Sequence, residues 1–237
     1  MNTTSQTKIA LITGGNRGIG FAICKGLLQA GFDVIIGSRS LEKGQAAAEK
    51  LGASSSQVRV VELDVADDQS IDRAFKTVSQ YSDRLDVLIN NAGIYPDSGV
   101  DILTIERELL MHTFNINTFG LIRVTQVFLP LLENAENARV INYSSGYGQL
   151  AGLSANVPSY CLSKLAVNGA TMMLADALRS KNIPVNAVDP GWVQTDMGGA
   201  AAPRTPEQGA DTAIWLATEA PLIQSGKLWR DRREVSY

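Results

Sequence analysis

Cysteine is scarce in this chain. Cys24 and Cys161 are the only two in 237 residues, too few for a disulfide framework, and they suggest a reducing, cytoplasmic setting. His112 stands alone, with no Cys, Asp or Glu cluster at ligand spacing, so no metal site is expected. Nowhere do about eighteen apolar residues run together, which leaves no membrane span. The polar segment Met1–Thr7 lacks the basic stretch and apolar run of a secretory signal. Excess positive charge is missing too. Lys+Arg 21 against Asp+Glu 24 gives −3, no footprint for nucleic acid or an anionic membrane surface. Only 19% of residues are charged and 45% are hydrophobic, so the chain can build a large core, expected as one domain over residues 1–237.

Short apolar, β-branched runs recur at Lys8–Thr13, Asp33–Ser38, Val58–Leu63, Asp86–Asn90, Arg139–Ser144, Val185–Val188 and Gly226–Trp229. Helical spacing fills the intervals Ile19–Ala30, Leu41–Leu51, Ser70–Tyr81, Ile105–Leu132, Ser159–Arg179 and Thr205–Ala217. Runs without polar alternation suit strands buried on both faces. The alternation predicts an α/β fold of Rossmann type, a doubly wound, mostly parallel, seven-stranded sheet with helices on both faces. Ligands of such sheets bind beyond the carboxyl ends of the strands, and the chemically suggestive residues fall there.

The first strand runs into Thr13-Gly14-Gly15-Asn16-Arg17-Gly18-Ile19-Gly20, which opens a helix. Glycines at this spacing permit a tight turn and close approach of backbone to a pyrophosphate, which the helix N-terminus then attracts. A plain strand-to-helix turn would also use glycine, but the position inside a βαβ unit favours a dinucleotide site. The second strand ends Gly37-Ser38-Arg39-Ser40, without the acid that usually takes a ribose 2′-hydroxyl. Arg39 is suited to clamp a 2′-phosphate, Ser38 to donate to it and Arg17 to approach it, which favours NADP(H) over NAD.

Further motifs follow in order: Asp64-Val65, Asn90-Asn91-Ala92-Gly93, Asn117 within Asn117-Thr118-Phe119-Gly120, Ser144-Ser145, Tyr160-Cys161-Leu162-Ser163-Lys164, and Asn186 with Pro190-Gly191 and Thr195. With these the chain resembles the short-chain dehydrogenases/reductases over essentially its whole length. The glycine loop, Arg39 and Gly226–Arg233 are most similar to the NADPH-dependent carbonyl reductases. The resemblance implies that Asp64 receives the adenine amino group, that Asn91 and Ala92 lie along the adenine ribose, and that Val193 and Thr195 hold the carboxamide or pyrophosphate. Asn90 reads better as a structural cap of its strand.

Tyr160 and Lys164 are four apart on a predicted helix and share a face. Free tyrosine titrates near ~10, and a nearby ammonium together with oxidised nicotinamide is expected to lower that value. Tyr160 then donates a proton to a carbonyl oxygen as hydride reaches carbon. The resemblance implies that Lys164 also holds the nicotinamide ribose, that Ser145 polarises the carbonyl, and that Asn117 bends its helix and holds a proton-relaying water. Ser145 lies fifteen residues before Tyr160, a longer interval than the family usually shows, and Ser144 is an alternative strand-end residue. Cys161 faces elsewhere on the helix and reads as packing.

Tyr95, Tyr147, Leu150, Trp192 and Met197 follow strands and suit an apolar pocket for a hydrophobic or aromatic carbonyl compound. Gly198–Pro203 is expected to hinge as a lid, and Thr205-Pro206-Glu207 to start a helix. The expected activity is NADPH-dependent reduction of a small ketone or aldehyde. Two alternatives stay open: NADP-linked alcohol dehydrogenation in the oxidative direction, and a catalytically silent dinucleotide-sensing module. A homo-dimer or tetramer is the expected assembly.

Overall fold

The chain is described by a computed structural model over residues 7–52, 54 and 56–237. Eight strands form one sheet in the order β3-β2-β1-β4-β5-β6-β7-β8. They are β1 (Ile9–Thr13), β2 (Asp33–Ser38), β3 (Val58–Glu62), β4 (Val87–Asn90), β5 (Arg139–Tyr143), β6 (Val185–Val188), β7 (Leu228–Arg230) and β8 (Arg233–Val235). All neighbours are parallel except β7 and β8. Strand order reverses at β1, where Ala10 pairs with Val34 on one side and Val87 on the other. The crevice beyond that point is where a ligand of this architecture sits.

The helices are α1 (Gly18–Gln29), α2 (Leu41–Leu51), α3 (Asp68–Ser79), α4 (Arg107–Phe114), α5 (Gly120–Glu133), α6 (Pro158–Ala177) and α7 (Pro206–Thr218). Successive strand residues point to opposite faces, so Ile12 and Leu11 belong to different cores. Ile12 and Ile36 pack with Ile23 and Leu27 of α1 and Ala213 and Leu216 of α7. Leu11 and Leu88 pack with Ile71 of α3 and Phe128 and Leu132 of α5. Both faces are therefore covered, as the unbroken apolar runs require. Among the described residues no helix is long and apolar enough to cross a membrane.

Two expectations are refined by the structure. The helical stretch expected over Ile105–Leu132, with the bend at Asn117 that the resemblance implies, is divided by a π-helical turn, Asn115–Phe119. Asn117 causes the break from within it. Its amide donates to the carbonyl of Ile94 at 2.9 Å and its Oδ1 accepts from the Ile94 N–H at 2.8 Å, which pulls one wide turn toward the end of β4. The sheet also has eight strands rather than seven. The extra strand β8 has only three residues, two of them charged, and leaves no apolar run to read. It is held by a two-residue hairpin whose Asp231 and Arg232 both have positive φ, the geometry that matches sheet twist. Arg204 grips Asp231 at 2.5 Å and Asp211 grips Arg232 at 2.6 Å, offsetting the strain of non-glycine residues there.

Candidate active site

The glycine loop has the shape a diphosphate needs. Gly14 and Gly18 have φ of +65° and +52°, and a Cβ on Gly20 would lie 2.3 Å from the Gly14 carbonyl oxygen. Arg17 is the N-cap of α1 and supplies no side-chain cap, so the first N–H groups of that helix have no side-chain acceptor. A Cβ on Gly18 would meet Thr195 at 3.1 Å, which places Thr195 across the loop, and Ile19 packs beneath it against Gly209. Asn16 is half-buried within the turn. These features fit a dinucleotide.

Several of these residues also have partners within the fold. Asn91 donates its amide to the carbonyls of Thr13 (2.9 Å) and Gly14 (3.3 Å), so its Nδ2 braces the phosphate loop. The backbone N–H groups of Asn91 and Ala92 both donate to Thr13 Oγ1 at 3.0 Å. Ser38 is buried and donates to the Ser40 carbonyl at 2.9 Å, so a local turn takes the hydroxyl expected to meet a 2′-phosphate. Arg17 lies 2.5 Å from Asp196, with both side chains exposed. Arg39 is exposed and, among the described residues, makes no ion pair, which leaves it the available cation at the β2 end. Asp64 Oδ1 accepts from the Ala66 N–H at 2.9 Å, fixing the turn after β3. Val65 is buried and its carbonyl lies where a Cβ on Gly120 would meet it at 2.5 Å. Asn90 is structural as expected. It donates to Thr125 (3.1 Å) and Asn142 (2.9 Å) inside the core.

Tyr160 and Lys164 lie on α6 with the Lys164 Nζ 5.7 Å from the Tyr160 ring centre. Lys164 is 4% exposed, donates to the Tyr143 carbonyl at 2.7 Å, and burial pulls its pKa down to about 8. Gly93 borders it, since a Cβ there would lie 3.5 Å from Nζ. The two serines separate cleanly. Ser144 donates to the Lys164 carbonyl at 3.3 Å, whereas the Ser145 hydroxyl faces the Tyr160 phenol closely enough to lower its pKa. Burial nevertheless outweighs Ser145 and pushes the phenol above its ordinary value, with the buried Asp189 adding to the rise. The lowering expected from Lys164 belongs to the site with oxidised nicotinamide bound, and Lys164 is not among the groups that shift the phenol here. Its ammonium is turned to the Tyr143 carbonyl. Asn117 also donates to Ser163 at 3.0 Å, one residue before Lys164, which joins the π turn to α6.

The Tyr95 and Tyr147 rings stand edge-on to Tyr160, at 4.7 Å and 6.2 Å between centres. Leu150, Trp192 and Met197 are exposed on the loops after β5 and β6. The segment 194–204 is closed at its base by the Val193–Arg204 bridge, and Trp192 donates to the Gly198 carbonyl at 2.8 Å. Gly198–Pro203 is thus tied at its base and at its first residue. Pro190-Gly191 is held by Asp189, whose Oδ1 accepts from the Gly191 N–H at 2.9 Å. Thr205 caps α7 as expected, and Gln208 completes a capping box. His112 is exposed on α4, and no group able to hold a metal occurs among the described residues. Sequence reasoning passed over two buried acids near the tyrosine, Asp97 and Asp189. Neither lies at a helical or strand period, and only the Pro190-Gly191 signal beside Asp189 hinted at either.

With a doubly wound sheet, a glycine loop at its switch point and a Tyr–Lys pair beyond β5, the structure defines a dinucleotide-dependent oxidoreductase. The short chain dehydrogenase pattern matches residues 8–205, and the chain belongs to that family. Short-chain dehydrogenase anuI of Penicillium roqueforti is 35% identical, over 96% of this chain and 95% of that protein. Carbonyl reductase [NADPH] 1 of Sus scrofa is 33% identical, over 90% of this chain and 88% of its own length. The structure of NADPH-bound carbonyl reductase from chicken fatty liver superposes with a TM-score of 0.88 at 29% identity, covering 98% of this chain and all of that one.

Proposed function

We propose that the chain is an NADPH-dependent carbonyl reductase whose single domain holds both cofactor and substrate. The observation that carries this reading is the buried Tyr160 phenol. It stands one turn from Lys164, faces Ser145 and is ringed by Tyr95 and Tyr147. Bound NADPH supplies the hydride. Gly14, Gly18, Gly20 and the start of α1 would hold its diphosphate, Arg39 the 2′-phosphate, Asp64 and Ala92 the adenosine side, and Gly191, Val193 and Thr195 the nicotinamide side. Ser145 would orient the carbonyl oxygen and Tyr160 would donate the proton. Burial holds the phenol above its ordinary pKa, so it is protonated at neutral pH, the form a reduction consumes. The aromatic rim suits a small aromatic or hydrophobic aldehyde or ketone. Two copies would pair through the helix face that exposes Met111, Phe119, Met172 and Met173.

Loss of NADPH absorbance with a panel of small aldehydes and ketones tests the reading. Tyr160→Phe is expected to lower kcat by about 10²–10⁴-fold, with the Kd for NADPH held within about twofold. Substantial remaining turnover would remove Tyr160 as the acid.

A further inference from the structure

The first turn of α6 presents an unusual problem. Its N-cap, Val157, offers no side-chain acceptor, and Pro158 at the first helical position has no N–H. Cys161 already donates back to the Val157 carbonyl at 3.0 Å. The helix is left with two unpaired backbone donors, on Ser159 and Tyr160. Both are taken by one atom from a distant segment. Asp97 Oδ2, in the loop after β4, accepts from Ser159 N at 2.6 Å and from Tyr160 N at 3.2 Å.

We propose that Asp97 is a positioning residue for Tyr160, a carboxylate cap supplied in trans that sets where the phenol stands relative to substrate. The inference rests on the tyrosine acting as the acid. Asp97 is 0% exposed, and its other oxygen, Oδ1, has no hydrogen-bond partner. A buried carboxylate with one bare oxygen is costly, and the fold could have avoided it with Ser or Thr at position 157. The gain is a link between two walls of the pocket. Tyr95, two residues before Asp97, packs edge-on to the Tyr160 ring at 4.7 Å. The same loop is stitched to the segment preceding α6 by Gly99 N to the Asn156 carbonyl at 3.0 Å and Ile102 N to the Ala155 carbonyl at 2.8 Å. From the opposite side, Thr113 of α4 meets the Ser159 hydroxyl at 3.0 Å. The backbone of Tyr160 is therefore held from β4, and its ring is packed by the same strand's loop. A shift of about an ångström at a reacting group can cost on the order of 10²-fold in rate, so a cap acting on one turn of backbone is felt in the chemistry.

The test uses Asp97→Ala and Asp97→Asn, with wild type and Tyr160→Phe run alongside, on the fastest aldehyde of the panel. Asp97→Ala removes the acceptor, and kcat is expected to fall roughly ten- to a hundredfold. The Kd for NADPH should stay within about twofold and the solvent deuterium isotope effect on kcat should rise, because proton donation becomes slower. Asn keeps one oxygen for the two donors, so Asp97→Asn is expected to lie between Ala and wild type in both parameters, with a melting temperature near that of wild type. The Asn variant decides alone if the Ala variant does not fold. Wild-type kcat and isotope effect in a folded variant overturn the proposal. So does a loss of kcat that only tracks the loss of folded protein, or a failure of both variants to fold, since Asp97 would then serve the fold and not the phenol. An active Tyr160→Phe would instead bring down the reading of the tyrosine, so the two failures are separable.

Discussion

Replacing Lys164 with methionine should make the protein more stable at neutral pH while removing its activity. Lys164 is 4% exposed, and its pKa falls from 10.5 to about 8 because burial penalises the ammonium. Keeping it charged in the folded state thus costs roughly 3 kcal/mol at pH 7. Its one hydrogen bond is to the Tyr143 carbonyl at 2.7 Å. Methionine fills a similar volume without charge, and the stranded carbonyl returns about 1–3 kcal/mol of penalty. The net expectation is a variant between unchanged and about 2 kcal/mol more stable. The pH dependence is the sharper reading. The cost is full below the folded value of about 8 and gone above the unfolded value of 10.5, since only between them does the unfolded chain bind the extra proton. Wild-type stability should therefore rise, relative to Lys164→Met, by about 2 kcal/mol between pH 7 and pH 9.5. Urea unfolding of both proteins at the two pH values measures it, and the variant subtracts the tyrosines and surface lysines that titrate in the same range. If wild-type stability minus that of Lys164→Met stays flat or falls with pH, Lys164 is not desolvated as its burial implies.

How much of this site could be read from the sequence depended on what each residue answers to. Tyr160, Lys164 and Gly14–Gly20 were legible because each owes its role to a local period or turn, a helix face or a strand-to-helix bend, which spacing records. The unbroken strands likewise revealed their two-sided burial. Residues whose work is set by a partner far away in the chain were not. The amide of Asn91 donates to Thr13 and Gly14, about eighty residues upstream, a brace that no local pattern records. Asn117 lies within a correctly expected helical stretch, but the π turn it creates comes from a contact with Ile94 that no helical pattern encodes. Asp97 sits in a loop without periodicity and acts on the start of α6, so only three-dimensional proximity identifies it. For Tyr160 the charge of its helix neighbour could be read from the sequence, but the degree of its burial could not.

Arg39→Asp should raise the KM for NADPH far more than that for NADH, because the exposed guanidinium at the end of β2 is the available charge for a 2′-phosphate there. Equal changes for the two cofactors would defeat that assignment. The serine pair gives a cleaner contrast, since the resemblance favours Ser145 with Ser144 as an alternative, and their hydroxyls point to different tasks. Ser144 is buried and donates to the Lys164 carbonyl at 3.3 Å, a neutral, rather long hydrogen bond that ties β5 to α6. Removing it in Ser144→Ala should cost about 1 kcal/mol of stability and leave kcat within a few-fold. Ser145 faces the Tyr160 phenol, and its other contact accepts from the Tyr147 N–H at 3.2 Å on the loop surface. Ser145→Ala should hardly move the urea midpoint but lower kcat by about 10²-fold or more, as loss of a positioned donor to a developing oxyanion does. Because stability and turnover are expected to change in opposite members of the pair, a reversed or shared pattern would show that the loop after β5 presents the other hydroxyl to substrate.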